Sequence, residues 1–106
     1  MKKIINGKRY DTEASVLVAQ TSNANMVGRS DFRWYDETLY QTPRSKVFFL
    51  AGRGGPMSRW AQSAGQSSWT GGEGIRPLST DDAREWCEDA GVSVETIERF
   101  FDIEEA

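Results

Sequence analysis

The chain opens with two short runs of basic residues followed by apolar or aromatic ones, on either side of a turn dipeptide. Lys2–Ile5 and Lys8–Tyr10 flank Asn6-Gly7. Asn-Gly readily takes the positive φ angles that a type I′ turn requires. The pattern therefore predicts an N-terminal β-hairpin.

The next segment carries a capping residue followed by small and apolar residues. Asp11 or Thr12 is a suitable helix cap, and the apolar positions that follow extend to about Gln20. This pattern predicts a helix, although two valines weaken its propensity. Thr21–Ser30 is polar, with glycine and asparagine, and is expected to form a loop.

The clearest hairpin in the sequence lies in the middle of the chain. Phe32–Gln41 is rich in aromatic residues, Thr42–Ser45 has turn chemistry, and Lys46–Ala51 is apolar. Side chains alternate between the two faces of a strand. One face of each strand should therefore join the core, with Phe49 in it, and the other should carry exposed aromatic residues or a helix.

Glycine dominates the segment after this hairpin. Gly52–Gly74 holds seven of the ten glycines around one short helical candidate, Met57–Ala64. Ile75–Leu78 is a candidate last strand, which tolerates Pro77 only at a sheet edge or a strand end.

The C-terminal quarter has the strongest helix signals. A cap at Ser79 or Thr80, acidic residues in the first turn and Gly91 at the end predict one helix. Ser93 caps a second helix that runs from Val94 to about Phe101. The whole pattern predicts a single α+β domain spanning residues 1–106, with a small antiparallel sheet built from hairpins, helices packed on one face and acidic C-terminal helices.

Composition removes several classes of function. The chain has no histidine and one cysteine, so it lacks the usual general base and the usual zinc ligand. Cys87 is expected to be a buried, non-nucleophilic thiol, and adjacent acids such as Asp36 and Glu37 point to opposite faces of a strand. We expect no enzyme activity, no metal and no cofactor.

The absence of a signal peptide or membrane span predicts a cytoplasmic protein with no membrane partner.

Charge is distributed unevenly along the chain. Residues 1–78 carry 11 basic and 6 acidic side chains, a net charge of +5, whereas residues 79–106 carry 2 basic and 10 acidic side chains, a net charge of −8. We call residues 79–106 the acidic end. Such a block suits a basic partner surface, or it keeps a helical tail in solution. The negative net charge of the chain, −3, argues against direct binding of nucleic acid.

Surface recognition is the chemistry that remains. The predicted partner-binding residues are the carboxylates of the first C-terminal helix together with arginines, tryptophans and one glutamate of the glycine-rich segment: Asp81, Asp82, Glu85, Glu88, Asp89, Arg53, Arg59, Trp60, Trp69 and Glu73. Trp69 is expected to be exposed because its neighbours are polar or glycine. The alternative for Arg53 and Arg59 is a pair of salt bridges to the acidic end.

Three stretches of the sequence carry short motifs: INGKRYDTE (Ile5–Glu13), Ser30–Ala61 with its ETLY and GRGG motifs, and SWTGGEGIRPLSTDDAREW (Ser68–Trp86). Together they resemble a family of small bacterial and mobile-element proteins that includes phage anti-CRISPR proteins of type I systems. The resemblance implies a non-catalytic inhibitor in the host bacterial cell. Such a protein binds a Cas protein or the Cascade complex and prevents target DNA from being bound or cleaved.

Two other functions stay open. The chain could be a protein-interaction module, monomeric or a homodimer joined through aromatic strand faces. It could instead bind a phosphate or nucleotide through the glycine-rich segment, although no phosphate-loop motif is present.

Overall fold

A four-stranded antiparallel sheet forms the centre of the fold in the computed structural model, which describes residues 1–106. Its strand order is β3-β4-β5-β8, and two separate hairpins, β1-β2 and β6-β7, flank it. The α+β class is confirmed. The elements in chain order are β1 (Lys2–Ile5), β2 (Lys8–Asp11), β3 (Val16–Ser22), α1 (Ala24–Val27), β4 (Tyr35–Gln41), β5 (Phe48–Gly54), β6 (Gln62–Gly65), β7 (Ser68–Thr70), β8 (Gly72–Leu78), α2 (Thr80–Asp89) and α3 (Val94–Phe100).

The central strand β5 is buried on both sides. Phe48 and Leu50 pack with α2 and α3 on one side, which we call the helix face of the sheet. Phe49 and Ala51 pack with Tyr10 of β2 on the other side, the hairpin face. Helices therefore cover one face, as predicted, and the N-terminal hairpin covers part of the other.

The N-terminal hairpin forms where the sequence predicts it. Asn6 and Gly7 have φ angles of 52° and 79°, as a type I′ turn requires. The hairpin places Tyr10 edge-on to Phe49, with ring centroids 5.4 Å apart, and Tyr40 stacks on Phe49 at 5.3 Å. Phe49 is fully buried as a result.

The helix predicted from residue 12 to about residue 20 is wrong. The Asp11 side chain does cap a turn, but that turn is a single 3₁₀ turn, Thr12–Ala14. The chain then continues as β3, which pairs with β4 from Val16 to Ser22 with one irregularity at Val18. β-branched valines favour this extended backbone, and the neighbouring strand supplies the hydrogen bonds.

The helix predicted over Met57–Ala64 is also wrong, because this segment is a turn followed by β6. The predicted loop Thr21–Ser30 contains the end of β3 and the one-turn helix α1. Pro77 lies in β8, an edge strand of the main sheet, as predicted.

Both C-terminal helices begin at their predicted caps. The Ser79 hydroxyl accepts the backbone N–H of Asp82 at 3.0 Å, and the Ser93 hydroxyl accepts that of Thr96 at 3.3 Å. Gly91 follows α2 with a φ of +70°. The longest helix has 10 residues, and none is long and apolar enough to cross a membrane.

Candidate functional site

Glu37 is the only charged residue buried in the molecule, at 5% exposure. One carboxylate oxygen accepts the indole N–H of Trp86 at 2.9 Å, and the other accepts that of Trp60 at 2.9 Å. The Arg59 guanidinium lies 3.1 Å from the second oxygen. Glu37 therefore connects β4, α2 and the turn before β6 through one carboxylate.

Trp60, which the sequence suggested as a partner contact, belongs to the core. It is 7% exposed, and its ring lies over Gly52 of β5, where even an alanine Cβ would approach it closer than 3.0 Å. The missing side chain of Gly52 makes room for the indole, and Glu37 satisfies its N–H. The prediction that Trp60 contacts a partner at the surface is therefore wrong.

Arg59 lines a cleft on the helix face. This Glu37 cleft has a volume of about 330 Å³ and lies where β4 meets the C-terminal end of α2. Tyr35, Trp86 and Asp89 also line it. The alternative salt bridge between Arg59 and the acidic end does not form, because the Arg59 guanidinium is paired with Glu37 instead.

Arg53 lies on the opposite face of the sheet, in a polar groove of about 510 Å³. Its guanidinium bonds the Asp36 carboxylate at 3.1 Å, and Arg29 contacts the same carboxylate at 3.3 Å. The guanidiniums of Arg29 and Arg53 lie near the Trp34 ring, 5.4 and 5.9 Å from its centroid, respectively. Arg53 therefore also makes no salt bridge with the acidic end.

Hydrogen bonding holds the pKa of Asp36 below its ordinary value. The largest cause is the Ser22 hydroxyl, followed by the hydrogen bond from Arg53 and the positive charges of Arg29 and Arg53, while burial opposes them. Glu73 pairs with Arg53 across β5 and β8, so it lies on the hairpin face as well.

The five predicted carboxylates of α2 are all exposed. The helix buries Ala83, Trp86 and Cys87 against the sheet, so the opposite side of α2 is available to a partner. Within the acidic end, the only ion pair is the contact of Arg84 with Glu88 at 3.7 Å. The other salt bridges join residues 29–59 to one another. The negative charge of the acidic end is therefore not neutralised by the rest of the molecule.

Trp69 is exposed, as predicted, with 63% of its surface accessible. It lies on β7 opposite Ser63 of β6, and neither strand of this hairpin has a buried residue.

The glycine-rich segment is explained by close packing. Extra atoms at Gly54, Gly55 and Gly71 would approach Ser58 or backbone carbonyl oxygens closer than 3.0 Å. The missing side chains of these glycines thus make room for neighbouring protein atoms. This arrangement favours the structural role of glycine over an anion-binding role.

Cys87 is fully buried, as predicted. Burial, with a smaller contribution from the negative charge of Glu88, raises the pKa of this thiol to about 11. A protonated thiol is a poor nucleophile. No group of three or more acidic, histidine or cysteine side chains is arranged to hold a metal ion.

The ten predicted site residues do not form one surface. The acidic residues of α2 lie on the helix side, where Asp89 shares a cleft with Arg59, whereas Arg53 and Glu73 are cross-strand neighbours on the hairpin face. Sequence reasoning missed Glu37 as a central residue. Its signal is a carboxylate at a strand position that shares a face with Tyr35 and Leu39.

Comparison of the chain with family models, with curated proteins and with solved structures finds no match.

Proposed function

We propose that this chain is a non-catalytic inhibitor that binds a type I CRISPR effector, either a Cas protein or the Cascade complex. In this proposal the carboxylates of α2 occupy a lysine- and arginine-lined surface that otherwise holds target DNA. DNA binding or cleavage is then blocked by steric exclusion and by charge. The family resemblance of the sequence suggests the partner, and the exposure of the α2 carboxylates supports this choice of surface.

The observation that carries the proposal is the unneutralised charge of the acidic end. Arg53 and Arg59, the internal cations considered as partners for it, are engaged by Asp36 and Glu37 instead. A row of exposed carboxylates on a rigid helix can take the place of phosphates on a basic surface. Because such contacts act partly at long range, binding should weaken as salt concentration rises.

The decisive experiment compares two triple charge reversals. In the first variant Asp82, Glu85 and Asp89 become lysine. These residues are three, four and seven positions apart and share one side of α2. In the control variant Glu98, Glu104 and Glu105, which are also exposed, become lysine. Each variant changes the net charge from −3 to +3. A difference in binding between the two variants therefore reflects the position of the reversed charges and not the net charge.

Binding to a purified type I effector is measured by interferometry at low and high salt. Displacement of target DNA is measured by gel shift. The α2 variant should bind about 100-fold more weakly than the parent and should fail to displace DNA, whereas the control variant should retain most of its affinity. Equal affinities of the parent and the α2 variant at both salt concentrations would contradict the proposal.

The alternative of a homodimer joined through aromatic strand faces has less support. The aromatic residues of β5 are buried beneath α3 on one side and the N-terminal hairpin on the other. Those of β4, Tyr35 and Tyr40, are half-buried against the same two clusters. A dimer of this chain would have to use another surface.

A further inference from the structure

The Glu37 cleft contains one charge that no group in the chain compensates. Arg59 is paired with Glu37 at 3.1 Å, and Arg33 is paired with Asp31 at 3.0 Å. Asp89 lines the same cleft and takes part in no ion pair. Asp31, which holds Arg33, lies outside the lining, and Asp89 is therefore the one charged side chain of the lining without an ionic partner.

The position of Asp89 in its helix places a second source of negative potential beside its carboxylate. Asp89 is the last residue of α2, and the last turn of that helix has no basic residue. The C-terminal end of a helix is the negative end of its dipole, where natural sequences favour lysine, arginine or histidine. A carboxylate at this end is unfavourable for the helix alone, and it would be stabilised by a cation from outside the chain.

The walls of the cleft suit the apolar part of a long basic side chain. Tyr35, Trp86 and Met57 line it beside Asp89. Aromatic rings attract guanidinium groups, and methylene stems of basic residues pack on apolar surface. Glu37 does not compete with Asp89 for a new cation, because its carboxylate already accepts two indole N–H groups and is paired with the Arg59 guanidinium.

We propose that the Glu37 cleft is a binding site for one arginine side chain of the partner protein, an inference that rests on the proposed function. The guanidinium would pair with the Asp89 carboxylate and lie against the aromatic wall. Arginine fits better than lysine because its planar group can bond a carboxylate with two N–H donors and also stack on a ring. This site would fix the register of α2 on the basic surface.

The test uses a blocked arginine, N-acetyl-arginine methylamide, and contains no effector. The free chain is titrated with it while the indole N–H signals are followed in ¹H–¹⁵N NMR spectra. Blocked citrulline, which has the same shape without the charge, is the matched control ligand. We expect a saturable shift of the Trp86 indole signal at concentrations on the order of millimolar, with Trp69 unaffected and no shift from citrulline.

Two variants localise the effect. Asp89→Asn should weaken arginine binding at least about fivefold, whereas Asp82→Asn, the same change on the same helix outside the cleft lining, should leave it within about twofold. No shift of Trp86, an equal shift with citrulline, or equal binding by Asp89→Asn would each overturn the inference. Failure of the chain to bind a CRISPR effector would refute the proposed function alone, since the titration does not involve it.

Discussion

Replacing Glu37 with leucine should reduce the free energy of unfolding by about 3–5 kcal/mol. The variant leaves the indole N–H groups of Trp60 and Trp86 without the acceptor that holds each of them at 2.9 Å. An unpaired buried donor costs about 1–3 kcal/mol, which gives about 2–6 kcal/mol for the pair. Arg59 adds less than about 1 kcal/mol, because its side chain is 45% exposed and water replaces its partner.

Glu37→Gln should cost less, about 1–3 kcal/mol, because the amide keeps one oxygen as an acceptor for one of the two indoles. The matched control is Glu73→Leu, the same substitution at an exposed position of β8, with an expected change within about 0.5 kcal/mol. Urea unfolding followed by far-ultraviolet circular dichroism gives all three values, without depending on tryptophan fluorescence.

A second substitution tests whether unpaired indole N–H groups cause the lower stability of Glu37→Leu. Trp60→Phe removes one of the donors that Glu37→Leu leaves unpaired, so the double variant should be more stable than the sum of the single changes by about 1–3 kcal/mol. If Glu37→Leu is as stable as Glu73→Leu, or if the two changes simply add, the carboxylate does not organise this core as we argue.

Three further predictions concern other parts of the molecule. Phe49→Ala should cost about 3–5 kcal/mol in urea unfolding, whereas Arg44→Ala at the hairpin tip should stay within about 0.5 kcal/mol; equal stabilities would show that Phe49 is not packed in the core. The Cys87 pKa of about 11 predicts that a thiol reagent at about pH 8 modifies the chain in urea and not the native chain. The stabilising effect of the neutral thiol is present below its unfolded pKa and is lost as pH rises towards 11; equal rates of modification would contradict its burial. The hydrogen bonds from Arg33 lower the pKa of Asp31 to about 2, so the stability from this pair is present above the ordinary value of 3.8 and is lost as pH falls towards 2. An NMR titration should show this midpoint, and Arg33→Ala should return it to the ordinary range; an unchanged midpoint would refute the assignment.

Elements specified by local chemistry were predictable from the sequence. The Asn6-Gly7 turn, the hairpin of β4 and β5 and the Ser79 cap each depend on interactions between residues close in the chain. Asp11 illustrates the limit of local sequence signals. Its side chain caps a turn as expected, but whether that turn continues as a helix is decided by β4, which offers hydrogen bonds to the residues that follow.

The candidate site was harder to predict because its geometry comes from contacts between distant residues. The carboxylate of Glu37 and the indole of Trp86 are 49 positions apart in the sequence. An aromatic residue in a glycine-rich segment gave no sign of whether it would be buried. Trp60 is buried because Gly52 leaves space for it, whereas Trp69, in similar surroundings, lies on a hairpin with no core to enter.

The contact between Gly52 and Trp60 also constrains how this sequence can diverge. A Cβ at position 52 and an indole at position 60 cannot occupy the same volume, so alanine at position 52 is acceptable only in a background where position 60 carries a smaller residue. That smaller residue would in turn leave Glu37 without one of its two indole donors. Positions 37, 52 and 60 therefore form an epistatic group, in which a replacement at one position depends on the residues at the other two. In a lineage under selection for stability, these three positions should be replaced together or remain unchanged.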